Sequence, residues 1–467
     1  MKRLLFTISV GIFFCLSILS QEKLYKNGFP LNQITLLDGP LKHAQDLNIQ
    51  TLLKYDTDRL LAPYRSVAGL PAKATSYPNW IGLDGHIAGH YLSAVAMGYA
   101  ATGNVACLNR LNYMISEFKA CQDANGIKYP TWGVGYAGGV PNSSNIWSQL
   151  KSGTFTAYNS AWVPWYNLHK TYAGLRDAWL YTGNEEAKTI FLRFCDWGIN
   201  LLSGLNDTQM ETMLNIEPGG INEMYADAYQ MTNETKYLTM AKRLSHKVIL
   251  NSMVSGVDNL DNKHANTQVP KAVGFQRIAE VSGDNNYTKA AKFFWTTVAH
   301  NRSIASGGNS RKEYFPQASA CMDYMTDVEG PESCNTNNML KLTEGLFRME
   351  NDAKYADYYE RAMLNHILST QHPAHGGFVY FTPARPQHYR VYSSPNEAMW
   401  CCVGTGMENH EKYGEFIYTR QHDSLYVNLF VPSELNWEEN GYKIRQETNF
   451  PDEAQTKLII TNNLSKS

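Results

Sequence analysis

The spacing of apolar residues along the chain predicts a protein built mainly from α-helices. From about residue 41 to residue 420, aliphatic and aromatic positions recur with helical periodicity and form about twelve segments of helix length. Short polar turns separate successive segments, as in ATGNVACLNRL, YTGNEEAKTIFLRF and VSGDNNYTKAAKFF. In each turn a Gly or Asn can end one helix in the left-handed conformation, while Asn, Asp or Thr caps the next. The repeat therefore predicts helical hairpins.

Six such hairpins can close into a ring, so we predict an (α/α)6 barrel over residues 41–420. Long stretches rich in Gly and aromatic residues lie at 63–85, 123–160, 303–334 and 370–403. In a barrel these stretches would gather at one end, where a ligand can bind. An open solenoid of hairpins is the alternative architecture.

The segments before and after the predicted barrel have a different pattern, which predicts β-strands. Residues 21–40 form an N-terminal segment with one short strand, and residues 421–467 alternate as strands do in DSLYVNLFVPSELNW and GYKIRQETNF. We therefore predict the start of a β-sandwich after the barrel. Three strands cannot cover two faces, so either the N-terminal strand joins them or the domain extends beyond this sequence.

The first twenty residues are typical of a secretory signal peptide. Lys2 and Arg3 precede a mostly apolar stretch at 4–19, and the small residue Ser20 offers a cleavage position. A membrane anchor is the alternative, but the stretch is short for a spanning helix. No later stretch is long and apolar enough to cross a bilayer. We therefore expect an exported protein, periplasmic or extracellular, with no membrane span after cleavage.

Composition narrows the possible partners. The 467 residues carry a net charge of -2 and only 18% are charged, so no strong field favours nucleic acid or another polyelectrolyte. Aromatic residues make up 12% of the chain, with 29 Tyr and 10 Trp. Such a density suits a cleft that stacks sugar rings, although a large helical core also uses many aromatic residues.

Two short motifs carry the most distinctive chemistry. Glu332 and Cys334 lie in GPESCNTNN, and Cys401 and Cys402 lie in MWCCVGTGMENHE. One carboxylate and three thiols form a suitable tetrahedral ligand set for zinc. Both motifs precede predicted helices, whose N-termini favour thiolate, and a thiolate facing a cleft is a nucleophile. The alternative is that these cysteines are buried apolar residues or disulfide partners.

Other residues are candidates for acid–base chemistry or ligand binding. Glu313, in GGNSRKEYF, adjoins an aromatic residue that can raise its pKa and suit it to general acid catalysis, but the neighbouring cations also favour a solvated loop glutamate. His86 and His90 share a helix face but lack the glutamate of a zinc-protease motif, which favours packing or sugar binding over metal binding. The remaining candidates for the barrel mouth are His169, His264, Glu360 and Tyr380.

Taken together, these motifs resemble the β-L-arabinofuranosidases of glycoside hydrolase family 127 and the related family 146. The resemblance covers residues 28–450 and rests on LLDGP, YPNWIGLDGHIAGHYLSA, YNLHK, KHANTQVPK, GGNSRKEYF, PESCNT and the WCC run. The combination of GPESC with a downstream CC is the most specific part. In that family the β-sandwich continues beyond the position of residue 467.

The resemblance implies an (α/α)6 barrel and a retaining exo-glycosidase that removes β-linked L-arabinofuranose from plant arabinans or glycoproteins. It implies a zinc site at Glu332, Cys334, Cys401 and Cys402, with Cys401 as nucleophile and Glu313 as acid/base. It also places His169, His264, Glu360 and Tyr380 near sugar-binding positions. Two alternatives remain open: a carboxylate-only hydrolase with structural zinc, using Glu313 and Glu360, and a non-catalytic carbohydrate-binding relative.

Overall fold

The computed structural model describes residues 24–78, 80–317, 319–320 and 322–462. Helix caps recur at the predicted hairpin turns and organise the fold. Gly103, for example, adopts φ 70° and ends one helix, and the Asn104 side chain then accepts hydrogen bonds from the first backbone N–H groups of the next. The same pair of caps recurs at Gly183–Asn184 and Gly283–Asp284. The predicted helical hairpins are therefore confirmed.

Six helices form an inner ring, in which each contacts the next and the last contacts the first. They are almost entirely buried, because one face of each meets the barrel interior and the other meets an outer helix. The closed ring confirms the (α/α)6 barrel and excludes the open solenoid. These inner helices are α3 (His86–Thr102), α7 (Pro164–Thr182), α10 (Ile221–Thr232), α13 (Ala265–Ser282), α16 (Ser333–Glu350) and α18 (Cys401–Asn409).

The outer helices are amphipathic and pack against the inner ring. Their bounds are α1 (Pro40–Leu52), α4 (Val105–Lys128), α8 (Glu185–Leu202), α11 (Thr235–Arg243), α14 (Asn285–Thr296) and α17 (Ala353–Ala362). The remaining helices belong to neither of these two sets and are α2 (Thr57–Ala68), α5 (Ser143–Lys151), α6 (Thr156–Asn159), α9 (Asp207–Leu214), α12 (Lys247–Val254) and α15 (Asp323–Thr326). Within the described ranges, none of the helices is long and apolar enough to span a membrane.

The ends of the chain meet in a small antiparallel sheet. Its strands are β1 (Ile34–Leu36), β4 (Ser433–Trp437), β5 (Tyr442–Thr448) and β6 (Thr456–Asn462), in that spatial order, with Ile34 opposite Leu435. A separate hairpin pairs β2 (Tyr418–Gln421) with β3 (Ser424–Val427). The N-terminal strand thus joins the C-terminal strands in one sheet. This is one of the two arrangements that the sequence allowed for the small number of C-terminal strands. The proposed signal peptide at 1–20 lies outside the described residues.

Candidate active site

A pocket lies where the N-termini of all six inner helices converge. Every inner helix contributes lining residues from its first turn or from the residues before it, and two longer loops add Glu313 and Tyr380. Unpaired backbone N–H groups at a helix N-terminus carry partial positive charge, so this end of the barrel favours anions. The lining side chains are Trp80, Leu83, Trp162, Val163, Tyr166, Glu217, His264, Asn266, Glu313, Glu332, Tyr380 and Cys401.

The two cysteine motifs meet at the base of this pocket. Cys334 is the second residue of α16, and Cys401 and Cys402 are the first two residues of α18. The Sγ atoms of Cys334 and Cys402 lie 3.1 Å apart, and Glu332 Oε1 lies 3.7 Å from each of the Cys401 and Cys402 sulfurs. All three thiols are buried and none forms a disulfide, so the disulfide alternative does not apply to them.

The three thiols have different affinities for a proton. Burial raises the pKa of Cys334, and burial likewise raises the pKa of Cys402. Burial also opposes ionisation of Cys401, but the neighbouring thiols of Cys334 and Cys402 and the Tyr380 hydroxyl outweigh it and hold the pKa of that thiol well below its usual range. Cys401 is therefore the most acidic of the three thiols, and it is the one that lines the pocket.

The Glu332–Cys334–Cys401–Cys402 cluster has the chemistry of a metal site. Its four ligand atoms lie within 4.8 Å of one another, and all four residues are buried. Glu332 Oε2 is buried and has no hydrogen-bond partner among the described residues, although such an atom costs free energy unless it is paired. Three sulfurs and one carboxylate oxygen match the ligands that zinc prefers. The residues present therefore fit a bound zinc ion.

Glu313 faces the pocket from a loop that precedes α16. The Tyr380 hydroxyl donates a hydrogen bond to Glu313 Oε1, and His264 Nε2 lies 3.6 Å from Glu313 Oε2. His264 Nδ1 accepts a hydrogen bond from Thr267 N at the start of α13, which leaves the proton of the neutral ring on Nε2, facing Glu313. Two proton donors thus fix the orientation of this carboxylate.

Glu217 is a pocket carboxylate that the sequence analysis missed. It lies in NIEPGGIN, just before α10, where Gly219 and Gly220 adopt φ of 66° and 94°. Burial raises the pKa of Glu217, and the structure gives its carboxylate no hydrogen-bond partner. The signal available in the sequence was an acidic residue beside a Pro-Gly-Gly turn that opens an inner helix.

The other predicted site residues lie at different distances from the pocket. His169, on α7, is buried behind Gly219 and Gly220, and neither ring nitrogen has a hydrogen-bond partner in the described structure. Glu360 lies on the outer helix α17, near the backbone of Phe430, and does not line the pocket. The structure therefore does not bring Glu360 together with the pocket residues, and its role in sugar binding stays a prediction.

The two neighbouring histidines of α3 lie beside the cysteine cluster. His90 Nδ1 is 2.5 Å from Glu408 Oε1, and His86 Nδ1 is 2.5 Å from the backbone oxygen of Leu83. Burial lowers the pKa of His86 to about 4, so its ring is neutral. These contacts favour the packing interpretation over metal binding for both histidines.

Comparisons with known proteins agree with this geometry. Residues 33–415 match the family model for the GH127 β-L-arabinofuranosidase catalytic domain, and residues 424–467 match the model for the GH127 middle domain. A search of curated protein sequences returned no match.

Solved structures have the same fold. A GH127 β-arabinofuranosidase aligns with a TM-score of 0.68 at 18% identity, covering 94% of this chain and 70% of that one. A GH127 β-L-arabinofuranosidase from Geobacillus stearothermophilus T6 aligns with a TM-score of 0.68 at 16% identity, covering 92% of this chain and 72% of that one. Because the catalytic-domain model spans most of the sequence, this chain belongs to the GH127 β-L-arabinofuranosidase family of glycoside hydrolases.

Proposed function

We propose that this protein is a retaining exo-glycosidase that releases β-linked L-arabinofuranose, with Cys401 as nucleophile and Glu313 as acid/base. One observation carries the proposal: Cys401 and Glu313 line the same pocket, together with Tyr380, whose hydroxyl donates a hydrogen bond to Glu313. A nucleophile and a proton donor on one small pocket are what glycoside cleavage by double displacement requires.

The size of the pocket supports release of one terminal sugar at a time. Its volume is about 110 Å³. That volume is far more than the roughly 10–15 Å³ that one water needs, and it suits a single small ring rather than a chain of sugars. Hydroxyl groups of such a ring would meet His264, Asn266 and Glu217, which supply both hydrogen-bond donors and acceptors.

In the first step the Cys401 sulfur attacks the anomeric carbon while Glu313, in its protonated form, gives its proton to the leaving oxygen. The carbon–oxygen bond breaks, a carbon–sulfur bond forms, and the leaving group departs as an alcohol. Tyr380 stays protonated because burial raises its pKa, so it can continue to donate to Glu313 as that carboxyl loses its proton.

In the second step the Glu313 carboxylate takes a proton from water as the water oxygen attacks the anomeric carbon. The carbon–sulfur bond breaks and Cys401 leaves as thiolate, which restores both residues to their starting states. Two inversions at one carbon give net retention of the β configuration.

Zinc would be held by Glu332, Cys334, Cys401 and Cys402, and a bound dication would keep the thiols deprotonated. We expect a chelator to abolish activity and added zinc to restore it, with metal content measured by elemental analysis. Full activity in metal-free protein would contradict the assignment.

We also propose that the substrate is a plant arabinan or glycoprotein glycan and that the protein acts in the periplasm or outside the cell. The family membership and the apolar stretch at 4–19 support these two points. Fractionation of the native host, followed by detection of the protein in each fraction, tests the location.

The proposed activity is tested with purified protein and a pair of p-nitrophenyl L-arabinofuranosides, one β and one α. We expect turnover of the β anomer alone, with β-L-arabinose as the first product seen by proton NMR. Cys401→Ser should lower the rate at least about a thousandfold while the circular dichroism spectrum is unchanged. Cys195→Ala, which removes a buried free thiol on α8, is the matched control and should retain activity.

The second candidate is a mechanism that uses two carboxylates and no cysteine nucleophile. The position of Glu217 in the pocket supports it. Glu217 and Glu313 line the same pocket, so they could act as the two carboxylates of an ordinary glycosidase. The two mechanisms differ in their sensitivity to thiol alkylation. Iodoacetamide should inactivate the thiol enzyme with protection by L-arabinose, and it should leave the carboxylate enzyme active.

A further inference from the structure

We propose that Lys170 supplies the positive charge that balances the cluster of Glu332, Cys334, Cys401 and Cys402 once its thiols are deprotonated. Lys170 is then a positioning residue, because it acts through the sulfurs and does not touch the sugar. Its effect on metal binding follows from the cluster alone, and its effect on turnover rests on the proposed function.

Lys170 is buried close to the thiol cluster, with one aromatic ring between them. The residue lies on the inner helix α7 and is 6% exposed, and its Nζ lies 4.6 Å from the centroid of the Tyr166 ring, one turn earlier. Tyr166 packs against Leu83 and the three cysteines. Burial lowers the pKa of Lys170, whereas the Cys334 thiol is among the groups that raise it. The ammonium group is therefore near enough to the cluster for the two charges to interact.

The cluster has more negative charge than a zinc ion can balance. One carboxylate and three thiolates carry four negative charges against two positive charges on zinc, so a net charge of about -2 remains. The N-termini of α16 and α18 contribute only partial positive charge. A buried charge costs free energy unless opposite charge lies nearby. A neighbouring cation therefore favours the state in which all three thiols are deprotonated.

The histidines around the cluster do not supply this cation. Burial lowers the pKa of His86 to about 4 and holds the pKa of His169 well below its usual range, so both rings are neutral. Burial also lowers the pKa of His90. His264 faces the pocket, but its Nε2 lies 3.6 Å from the Glu313 carboxylate. A charge on that ring would therefore act mainly on Glu313.

Lys170 has no closer partner of its own. Among the described residues it forms neither a salt bridge nor a hydrogen bond, although a buried ammonium group is costly without opposite charge nearby. The carboxylate that raises its pKa most is Glu408, which lies 2.5 Å from His90 Nδ1 instead. The charge of Lys170 therefore acts on the cluster and favours the thiolate form of Cys401. In the second step of the proposed reaction this makes Cys401 a better leaving group.

The test measures the zinc affinity of the purified protein by competition with a chromogenic chelator. Lys170→Met and Lys170→Gln remove the charge and should weaken zinc binding at least about tenfold, as losses around a metal site usually do. Lys170→Arg keeps the charge and should recover most of the affinity. Lys271→Met is the matched control, because it removes a buried lysine of the inner helix α13 whose Nζ contacts His246 and Gln268. The control should change the affinity by less than about twofold.

A zinc affinity within about twofold of wild type in both neutral variants would overturn the proposal. Equal losses in the neutral variants and in Lys170→Arg would overturn it too, because they would show that shape matters and charge does not. Wild-type protein that binds no zinc would also overturn it, since the cluster would then have no excess charge to balance. Circular dichroism establishes that each variant is folded before the affinities are compared.

Turnover provides a second readout that a purely structural role would not change. In zinc-saturated Lys170→Met we expect a burst of dinitrophenolate from a dinitrophenyl β-L-arabinofuranoside, followed by slow steady-state release, because departure of Cys401 becomes slower. Release in a single phase at the wild-type rate would contradict this role of Lys170. If the wild-type enzyme does not cleave the substrate, the proposed function fails, and the zinc affinities still decide the proposal on Lys170.

Discussion

At the scale of single residues, the backbone around Glu313 is strained but firmly held. Ser310, Lys312 and Glu313 have φ of 77°, 49° and 71°, values that non-glycine residues seldom adopt. Several backbone hydrogen bonds hold this loop, among them one from Ala265 N to Glu313 O at 2.7 Å and one from Lys312 N to Glu329 O at 3.0 Å. The held loop therefore fixes the Glu313 carboxylate in the pocket, where we propose that it transfers protons.

Glu313→Gln removes the proposed proton donor without changing the shape of the side chain. We expect the loss of kcat/KM to depend on the leaving group, because a good leaving group needs little protonation. The loss should be large for alkyl β-L-arabinofuranosides and small for dinitrophenyl β-L-arabinofuranosides in steady-state assays. The same loss on every substrate would argue against an acid role.

Glu217→Gln should change kcat/KM in a different way from Glu313→Gln. The Glu217 carboxylate lines the pocket and has no hydrogen-bond partner among the described residues, so it is available to sugar hydroxyl groups in the bound state. We expect kcat/KM to fall about tenfold or more. The loss should be the same for good and poor leaving groups, because a lost contact to a sugar hydroxyl does not depend on protonation of the leaving oxygen. A leaving-group dependence like that of Glu313→Gln would instead make Glu217 a proton donor.

Some residues of the site could be predicted from the sequence, and others could not. The thiol cluster could be foreseen because two short motifs contain all four ligands. Glu217 was missed, because its place in the pocket comes from the convergence of helix N-termini that are far apart in sequence. Glu360 was a candidate for the barrel mouth, but helical periodicity does not tell which helix of a hairpin lines the pocket.

At the scale of elements, close contact between α3 and α7 aligns the helices that carry the pocket. A Cβ atom at Gly89 would lie 2.2 Å from the backbone oxygen of Lys170, and one at Gly174 would lie 2.5 Å from the backbone oxygen of Gly89. Backbone atoms cannot move aside as a flexible side chain can. Glycines at this crossing therefore set the spacing of the two inner helices.

Gly89→Ala should lower the free energy of unfolding by about 3 kcal/mol, because it overpacks a contact between two backbones. Chemical denaturation followed by circular dichroism measures the change. Gly126→Ala is the matched control: it lies near the end of the outer helix α4, and its Cβ would have no contact closer than 3.6 Å. That variant should be neutral or up to about 1 kcal/mol more stable. Equal effects of the two substitutions would contradict the close-packing account.

Helical periodicity predicted most elements, and the errors lie at helix ends. Periodicity over 44–62 predicts one helix, but the chain forms α1 and α2 there, because the Asp56 side chain caps a new helix. Periodicity over 404–418 also predicts a helix, whereas α18 begins at Cys401 and β2 begins at Tyr418. In both regions apolar residues continue across the boundary, so periodicity alone cannot locate it.

At the scale of the whole molecule, a buried ionic network lies at the barrel end opposite the pocket. Asp227 is fully buried and pairs with the guanidinium groups of Arg176 and Arg277, the latter at 2.6 Å. The N-terminal Tyr25 accepts a hydrogen bond from Arg176 Nη1 and lies under Arg348, with 4.3 Å from its ring centroid to Cζ. The N-terminal segment thus closes this end of the ring while the opposite end stays open to substrate.

Asp227→Asn leaves two buried arginines without their shared carboxylate. We expect the free energy of unfolding to fall by about 3–5 kcal/mol, as for the removal of one partner from a buried ion pair. Asp196→Asn, which removes an exposed pair with Lys236, should cost no more than about 1 kcal/mol. Urea denaturation of both variants tests this, and a loss below about 1 kcal/mol for Asp227→Asn would show that the network contributes little to stability.

The covalent sugar adduct is the most direct test of the whole account. Glu313→Gln enzyme, which lacks the base for the second step, is mixed with a dinitrophenyl β-L-arabinofuranoside, quenched in acid and digested for mass spectrometry. The account predicts one anhydropentose on the peptide that contains Cys401 and Cys402, with fragment ions that assign it to Cys401. An adduct on Glu217 would contradict the account, as would turnover of the substrate with no adduct on any cysteine.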